Sequence, residues 1–108
     1  MAWLYLFAAG VFEWGWPVGL KYGWTAEGLR WGWIGFAILC MVGSGALLLL
    51  AQRGIPMGTA YAIWTGIGAA GTFLIGIWLF GEAASLARFF FVGLILIGIL
   101  GLRMTSPA

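Results

Sequence analysis

Four long apolar stretches, separated by short polar segments, make up nearly the whole chain; they cover about residues 3–20, 31–51, 56–80 and 86–102. A helix needs about 20 apolar residues to cross the roughly 30 Å of hydrocarbon in a bilayer, and each stretch meets or nearly meets that length. Because the connecting segments are short, neighbouring helices must run antiparallel. The pattern predicts an all-α integral membrane protein, one domain over residues 1–108 with four transmembrane helices and both termini on one side.

Proline and serine mark points where the helices begin or are disturbed. Pro56 suits the first turn of the third helix, and Ser85 suits the N-cap of the fourth. Pro17 lies inside the first span and has no N–H to bond the carbonyl group of Glu13, four residues earlier. The first helix is therefore predicted to bend at Glu13 and to expose an extra polar acceptor there.

Composition agrees with a membrane protein, since 64% of the residues are hydrophobic and 7% are charged, against roughly 25% charged in soluble domains. The chain has no histidine and one cysteine, Cys40, so we expect no intramolecular disulfide, no metal site and no cofactor. Scattered basic residues and a net charge of +2 do not favour a nucleic-acid partner. No Lys or Arg precedes the first apolar stretch, which argues against a cleaved signal peptide.

The basic residues give almost no preference for one orientation in the membrane. Arg53 and Arg103 fall on the side of the termini, and Lys21, Arg30 and Arg88 fall on the other side. The Lys/Arg bias between loops sets orientation, and here the α-amino group adds to the smaller count. We therefore predict that the chain inserts both ways.

Glu13 is the only acidic residue inside an apolar stretch. A carboxylate at that depth costs about 2.5–3.5 kcal/mol on insertion scales, so its default interpretation is functional. Gly10 and Trp16 share its helix face. Gly10 leaves space either for a small ligand or for close approach of another helix, and Trp16 either packs or donates its indole N–H to the carboxylate.

The second and third spans supply further polar groups. Tyr61, Trp64 and Gly68 lie on one helix face, where the hydroxyl and indole N–H need partners if they are buried. Gly66 and Gly68 weaken the helix by roughly 1 kcal/mol each relative to alanine, which permits either a kink or close packing. Ser44 either bonds its own helix backbone or completes a polar lining opposite the acid.

A single buried acid without a nucleophile–base pair does not predict an enzyme. It can bind a proton or a cation, and the two would compete for the same oxygens of Glu13. A homodimer would supply eight helices and a midplane cavity holding both acids, and dual insertion would let one sequence provide the inverted repeats of a secondary transporter. The fourth span has no polar side chain between Arg88 and Arg103, so association with another helix is its expected role.

The chain resembles the small multidrug resistance transporters over its whole length. The most specific part is the run GTAYAIWTGIG at residues 58–68, together with the membrane glutamate Glu13. The start MAWL at residues 1–4, the run GVFExxW at residues 10–16 and Phe80-Gly81-Glu82 are similar to the guanidinium-exporter subtype.

This resemblance implies an antiparallel, dual-topology homodimer in a bacterial inner membrane that exchanges protons for a cation. It implies that Glu13 is the shared proton and substrate site, surrounded by Trp16, Ser44, Tyr61, Trp64 and the small Gly10. It also implies that Gly66 and Gly68 form a bend in the third span. The dimer-forming stretch of the fourth span corresponds to Gly93, Leu94, Leu96, Ile97 and Gly98.

Guanidinium suits such a site, because it is planar, permanently charged and able to donate parallel hydrogen bonds to a carboxylate. Large aromatic residues around the acid favour a small flat cation. The expected function is therefore proton-coupled export of guanidinium and small guanidinyl cations. Three alternatives stay open: a broad exporter of quaternary ammonium cations from the same family, a passive ion channel, and an accessory membrane subunit.

Overall fold

The computed structural model describes residues 1–106 and consists almost entirely of helix. The helices are α1 (Ala2–Glu13), α2 (Gly15–Gly23), α3 (Trp31–Ala51), α4 (Met57–Phe80) and α5 (Leu86–Thr105). A small antiparallel hairpin of β1 (Trp24–Thr25) and β2 (Gly28–Leu29) joins α2 to α3, with Trp24 opposite Leu29. Within residues 1–106, α3, α4 and α5 are each long and apolar enough to cross a membrane.

The first span is divided at Trp14 into α1 and α2. The backbone N–H of Trp14 bonds the carbonyl of Val11 at 3.1 Å, while its own dihedral angles stay helical at φ −68° and ψ −28°. Pro17 cannot donate to the carbonyl of Glu13, so the regular hydrogen-bond pattern cannot pass this point unbroken. The disturbance predicted at Glu13 therefore lies one residue further along, and neither short helix alone has the length of a span.

The predicted helix starts differ from the structure by one residue at most. Ser85 is the N-cap of α5 and accepts a hydrogen bond from the Arg88 N–H at 3.2 Å, as predicted. Pro56 is the N-cap of α4 rather than part of its first turn, because its ψ of 141° is extended. At the other end of α4, Gly81 adopts a left-handed conformation with φ 62°, which lets the chain turn back at the helix terminus.

The first span runs antiparallel to α3. The carbonyl of Ala9 in α1 meets Ser44 in the second half of α3. The ring of Tyr22, at the end of α2, lies 4.8 Å from the ring of Trp33 at the start of α3. These two contacts order the helices in opposite directions, as the short connection predicts.

α4 and α5 also run antiparallel, and α5 returns to the side of the N-terminus. Gly66 of α4 lies against Ile99 of α5, and the rings of Phe73 and Phe89 meet edge to face at 5.5 Å. Near the end of α5, the Arg103 guanidinium lies 4.8 Å from the ring of Trp3. The two ends of the described chain are thus on one side, as predicted.

The helices form a thin layer in the order α3, first span, α4 and α5. Its extents of 50 × 34 × 16 Å make it little thicker than one helix, which measures about 10–12 Å with side chains. The largest buried apolar cluster lies where α1, α3, α4 and α5 approach one another; it contains Leu6, Ala51, Ile55, Ala60, Ile63 and Ile99. Both faces of the layer remain broad and apolar.

Candidate functional site

Glu13 lies at the end of α1, against a glycine of α4. A Cβ atom added to Gly68 would lie 2.7 Å from Cγ of Glu13, so a glycine is required for the two helices to approach this closely. Glu13 is partly buried and forms part of the wall of a cleft. The acid therefore sits at the contact between the first and third spans.

Ser44 connects Glu13 to Trp64. The buried Ser44 hydroxyl lies 3.1 Å from Oε1 of Glu13 and 2.8 Å from the carbonyl oxygen of Ala9, and it accepts a hydrogen bond from Nε1 of Trp64 at 2.8 Å. Ser44 was expected either to bond its own helix or to line the site. In the structure its backbone partner is on α1 instead of α3, and its hydroxyl also bonds Glu13; because Ser44 is buried and is not part of the cleft wall, its role in a substrate site stays a prediction.

The single hydroxyl proton of Ser44 has two possible acceptors, Oε1 of Glu13 and the carbonyl oxygen of Ala9. A serine hydroxyl has one donor and two lone pairs, so Ser44 can donate to Glu13 or to Ala9, but not to both at once. With a charged Glu13, the proton of Ser44 points to the carboxylate. When Oε1 is protonated, Glu13 can donate to Ser44, which then donates to Ala9. The network is therefore satisfied in both charge states of the acid.

A cleft of about 310 Å³ opens beside the acid; its walls are Glu13, Trp16, Pro17, Tyr61, Trp64, Thr65, Gly68, Ala69 and Thr72. Tyr61 is 56% exposed, and its ring packs against Trp64 at 5.3 Å. Within residues 1–106, neither the indole of Trp16 nor the hydroxyl of Tyr61 bonds Glu13. Both residues line the cleft beside Glu13. Their expected roles as hydrogen-bond donors to the acid remain predictions.

The remaining predicted glycines mark close helix contacts. A Cβ atom on Gly10 would lie 2.6 Å from Cγ2 of Ile67, so this glycine allows α4 to approach closely, and its place beside a bound ligand stays a prediction. A Cβ atom on Gly66 would lie 2.7 Å from Cδ1 of Ile99 on α5. Helix α4 continues without interruption through Gly66 and Gly68, and the bend predicted there stays a prediction.

Sequence reasoning gave Trp14 no role, and the structure places it firmly on α4. Its Nε1 donates to the carbonyl oxygen of Ile67 at 2.9 Å, and its ring occupies the space where a side chain at Gly71 would otherwise lie. The spacing of Gly68 and Gly71, three residues apart on one face, was the available signal. These two glycines receive the consecutive side chains of Glu13 and Trp14.

Two threonines in the cleft wall were also missed. Thr65 and Thr72 follow Tyr61 by four and eleven residues, which puts them on the same face of α4. They add hydroxyl groups to an otherwise aromatic and glycine-rich wall. This helical spacing could have been used to predict from the sequence that both threonines line the site.

The predicted dimer stretch of α5 lies outside the cleft. Leu94, Leu96 and Ile97 are exposed, and a Cβ atom on Gly93 or Gly98 would meet nothing within 4 Å. α5 buries only Ile99. This surface is uncovered in a single protomer, and its pairing with a second copy stays a prediction.

Glu13 has no basic partner among the described residues. The ion pair found in residues 1–106 joins Lys21 to Glu82 at the end of the first span. No group of His, Cys, Asp or Glu in the same part of the chain is placed to hold a metal ion. Within residues 1–106, the side-chain hydrogen bond of the Glu13 carboxylate is the one to Ser44.

These features define a multi-pass membrane protein with one unpaired acid between its first and third spans. The Small Multidrug Resistance protein family matches residues 1–95. A guanidinium exporter of Yersinia pseudotuberculosis is 49% identical over 106 residues, covering 98% of this chain and all of that protein. Guanidinium exporters of Salmonella typhimurium strain LT2 and Proteus vulgaris are 49% and 46% identical, with at least 98% of both chains covered in each comparison.

The chain belongs to the Small Multidrug Resistance family. Membership confirms the predicted all-α membrane fold. The family is one of transporters and the similar proteins are named as exporters, which also confirms the expectation of a transport protein rather than an enzyme.

Proposed function

We propose that this protein exports guanidinium and small guanidinyl cations in exchange for protons, by alternating access in an antiparallel homodimer. The observation that carries the proposal is the carboxylate of Glu13, which faces an aromatic cleft and has no basic partner in residues 1–106. The nearly full-length similarity to proteins named guanidinium exporters supports the choice of cation.

Exchange follows from competition for the oxygens of Glu13. A bound proton neutralises the carboxylate and removes its attraction for a cation, whereas a bound cation excludes the proton. The two acceptors available to Ser44 support this cycle, because the hydroxyl can turn to Ala9 when Glu13 is occupied and no buried hydroxyl is left unsatisfied. Since unsatisfied buried donors cost about 1–3 kcal/mol, the network keeps both occupied states accessible.

The cleft wall suits a flat cation. Guanidinium can donate two parallel hydrogen bonds to one carboxylate and stack its plane on an aromatic ring. The rings of Tyr61 and Trp64 adjoin the acid from α4. The hydroxyls of Thr65 and Thr72 can accept hydrogen bonds from the N–H groups that the carboxylate leaves unpaired.

A second copy of the chain would complete the enclosure. One protomer is a layer 16 Å thick, and its cleft is open, so in a single protomer the acid would face lipid from a broad side. The exposed residues of α5 and both apolar faces provide surface for pairing. The nearly even distribution of basic residues permits two opposite orientations, which would place one Glu13 from each protomer near the midplane.

Proteoliposome transport tests the proposal directly. With equal guanidinium on both sides and an acidic interior, proton efflux should drive guanidinium to accumulate inside, and a proton ionophore should abolish accumulation. Equilibration without accumulation would support the channel, and preference for tetraphenylphosphonium over guanidinium would support the broad exporter. Absence of transport for every cation would support an accessory subunit.

Replacing Ser44 by alanine should lower kcat/KM for transport by at least about tenfold, because hydrogen bonds to charged groups contribute about 1.5–3 kcal/mol. The change removes the donor to Glu13 and leaves the indole N–H of Trp64 without its acceptor. Initial rates of guanidinium uptake measure the effect. Thr105→Ala is the matched control, since that hydroxyl bonds only Gly101 near the exposed end of α5; equal rates for the two variants would contradict the role given to Ser44.

A further inference from the structure

A second carboxylate holds a cation near the end of the first span. The ammonium of Lys21 lies 3.4 Å from Oε2 of Glu82 and 5.3 Å from the centre of the Phe80 ring. A carboxylate and an aromatic face are the two groups that proteins use to receive an organic cation. The ammonium of Lys21 thus occupies a position with the chemistry of a cation site.

The backbone at the end of α4 directs Glu82 towards the protein. Gly81 takes φ 62°, and the N–H of Glu82 returns to the carbonyl of Gly76 at 3.2 Å. A Cβ atom on Gly76 would overlap Oε1 of Glu82, so the carboxylate lies over a notch in the helix. The turn at Gly81 and the missing side chain at Gly76 together hold the Glu82 carboxylate at the edge of a cavity of about 80 Å³ between α2 and α4.

This small cavity adjoins the cleft of Glu13. Pro17 and Thr72 line both of them. Glu13 ends α1, and Pro17 and Lys21 lie four residues apart on one face of α2, which continues the first span beyond the acid. Glu82, the partner of Lys21, lines the small cavity and not the cleft.

We propose that Glu82 and Phe80 form an outer cation station, which Lys21 occupies until a guanidinium-type cation displaces its ammonium. The identity of the cation rests on the proposed function; the station itself rests on the contacts of Lys21, Phe80 and Glu82. Displaced from Glu82, Lys21 turns to water, and the bound cation faces the carboxylate and the ring in its place.

The exchange is energetically easy. The side chains of Lys21 and Glu82 are 55% and 44% exposed, and exposed ion pairs of this kind contribute little. Guanidinium is less strongly hydrated than ammonium, donates in a bidentate manner and stacks on aromatic rings, so it gains contacts with Glu82 and Phe80 that Lys21 does not make. A weak, rapidly exchanging station is what an entrance requires.

Binding to a protein that lacks the main site tests the station separately. In the Glu13→Gln background, we expect weak guanidinium binding, followed by line broadening of ¹⁵N-guanidinium in lipid nanodiscs. Adding Glu82→Gln should abolish the broadening, and adding Lys21→Gln should strengthen binding severalfold by removing the internal competitor. Broadening that survives Glu82→Gln, or that is unchanged by Lys21→Gln, would overturn the proposal.

Transport with Glu13 intact gives the second measurement. Glu82→Gln should lower kcat/KM about fivefold at low ionic strength with kcat within twofold, and the difference should vanish in high salt, where exposed charges are screened. Glu27→Gln, an exposed acid of the hairpin, is the control and should have no effect. A salt-independent loss, or an equal loss in the control, would refute the station. Failure of proton-driven transport in the wild type would refute the proposed function and leave the nanodisc result to stand.

Discussion

Glu13→Gln is expected to abolish proton-driven guanidinium transport, with a loss of at least about 100-fold in initial rate. The substitution keeps the size of the side chain and its contact with Gly68, and removes only the negative charge and the exchangeable proton. An amide can still accept a hydrogen bond from Ser44, so the helix contacts should persist. A cation in hydrocarbon without a counter-charge is disfavoured by about 2.5–3.5 kcal/mol or more, which corresponds to the expected loss.

Two variants control this experiment. Glu27→Gln makes the same chemical change in the exposed hairpin and should transport at the wild-type rate. Glu13→Asp keeps the charge but draws it back from Ser44 by one methylene, so uphill transport should survive at a reduced rate. Uphill transport by Glu13→Gln, in vesicles with verified protein content, would show that the exchange uses another group.

Helix positions could be predicted well because bilayer thickness and hydropathy decide them. The second span was predicted at residues 31–51 and is observed at Trp31–Ala51. The fourth was predicted to end at residue 102, but α5 continues to Thr105. Hydropathy falls at Arg103, whereas helical hydrogen bonding depends on the backbone and continues to Thr105, whose hydroxyl bonds the carbonyl of Gly101.

The partners of the acid were harder to predict. Helical spacing places Trp16 beside Glu13 on one helix, but it does not say how neighbouring helices are rotated. That rotation is decided where small residues allow close contact, and here Gly68 brings α4 against the acid while Ser44 reaches it from α3. The observed hydrogen bond to Glu13 therefore comes from Ser44 on α3 and not from the indole of Trp16 in the same span.

Among glycine-to-alanine substitutions in the third span, Gly71→Ala is expected to reduce stability and transport the most. The new Cβ atom would overlap the ring of Trp14 and break the hydrogen bond from its Nε1 to Ile67. Overpacking a close contact costs about 1–3 kcal/mol, and the lost hydrogen bond adds about 1 kcal/mol. Because Trp14 follows Glu13 directly, displacement of the ring should also move the carboxylate, and transport should fall more than tenfold.

A second substitution tests whether the damage comes from overlap with Trp14 or from a general intolerance of alanine in this helix. Trp14→Val in the Gly71→Ala background removes the overlapping ring, so thermal stability in detergent and part of the transport rate should recover. Gly45→Ala is the matched control, because a Cβ atom there meets nothing within 4 Å and alanine favours the helix by up to about 1 kcal/mol. If Trp14→Val adds to the damage of Gly71→Ala, the ring and the glycine are not in contact in the working protein. Recovery would instead show that this pair sets the distance between the first and third spans, on which the position of Glu13 depends.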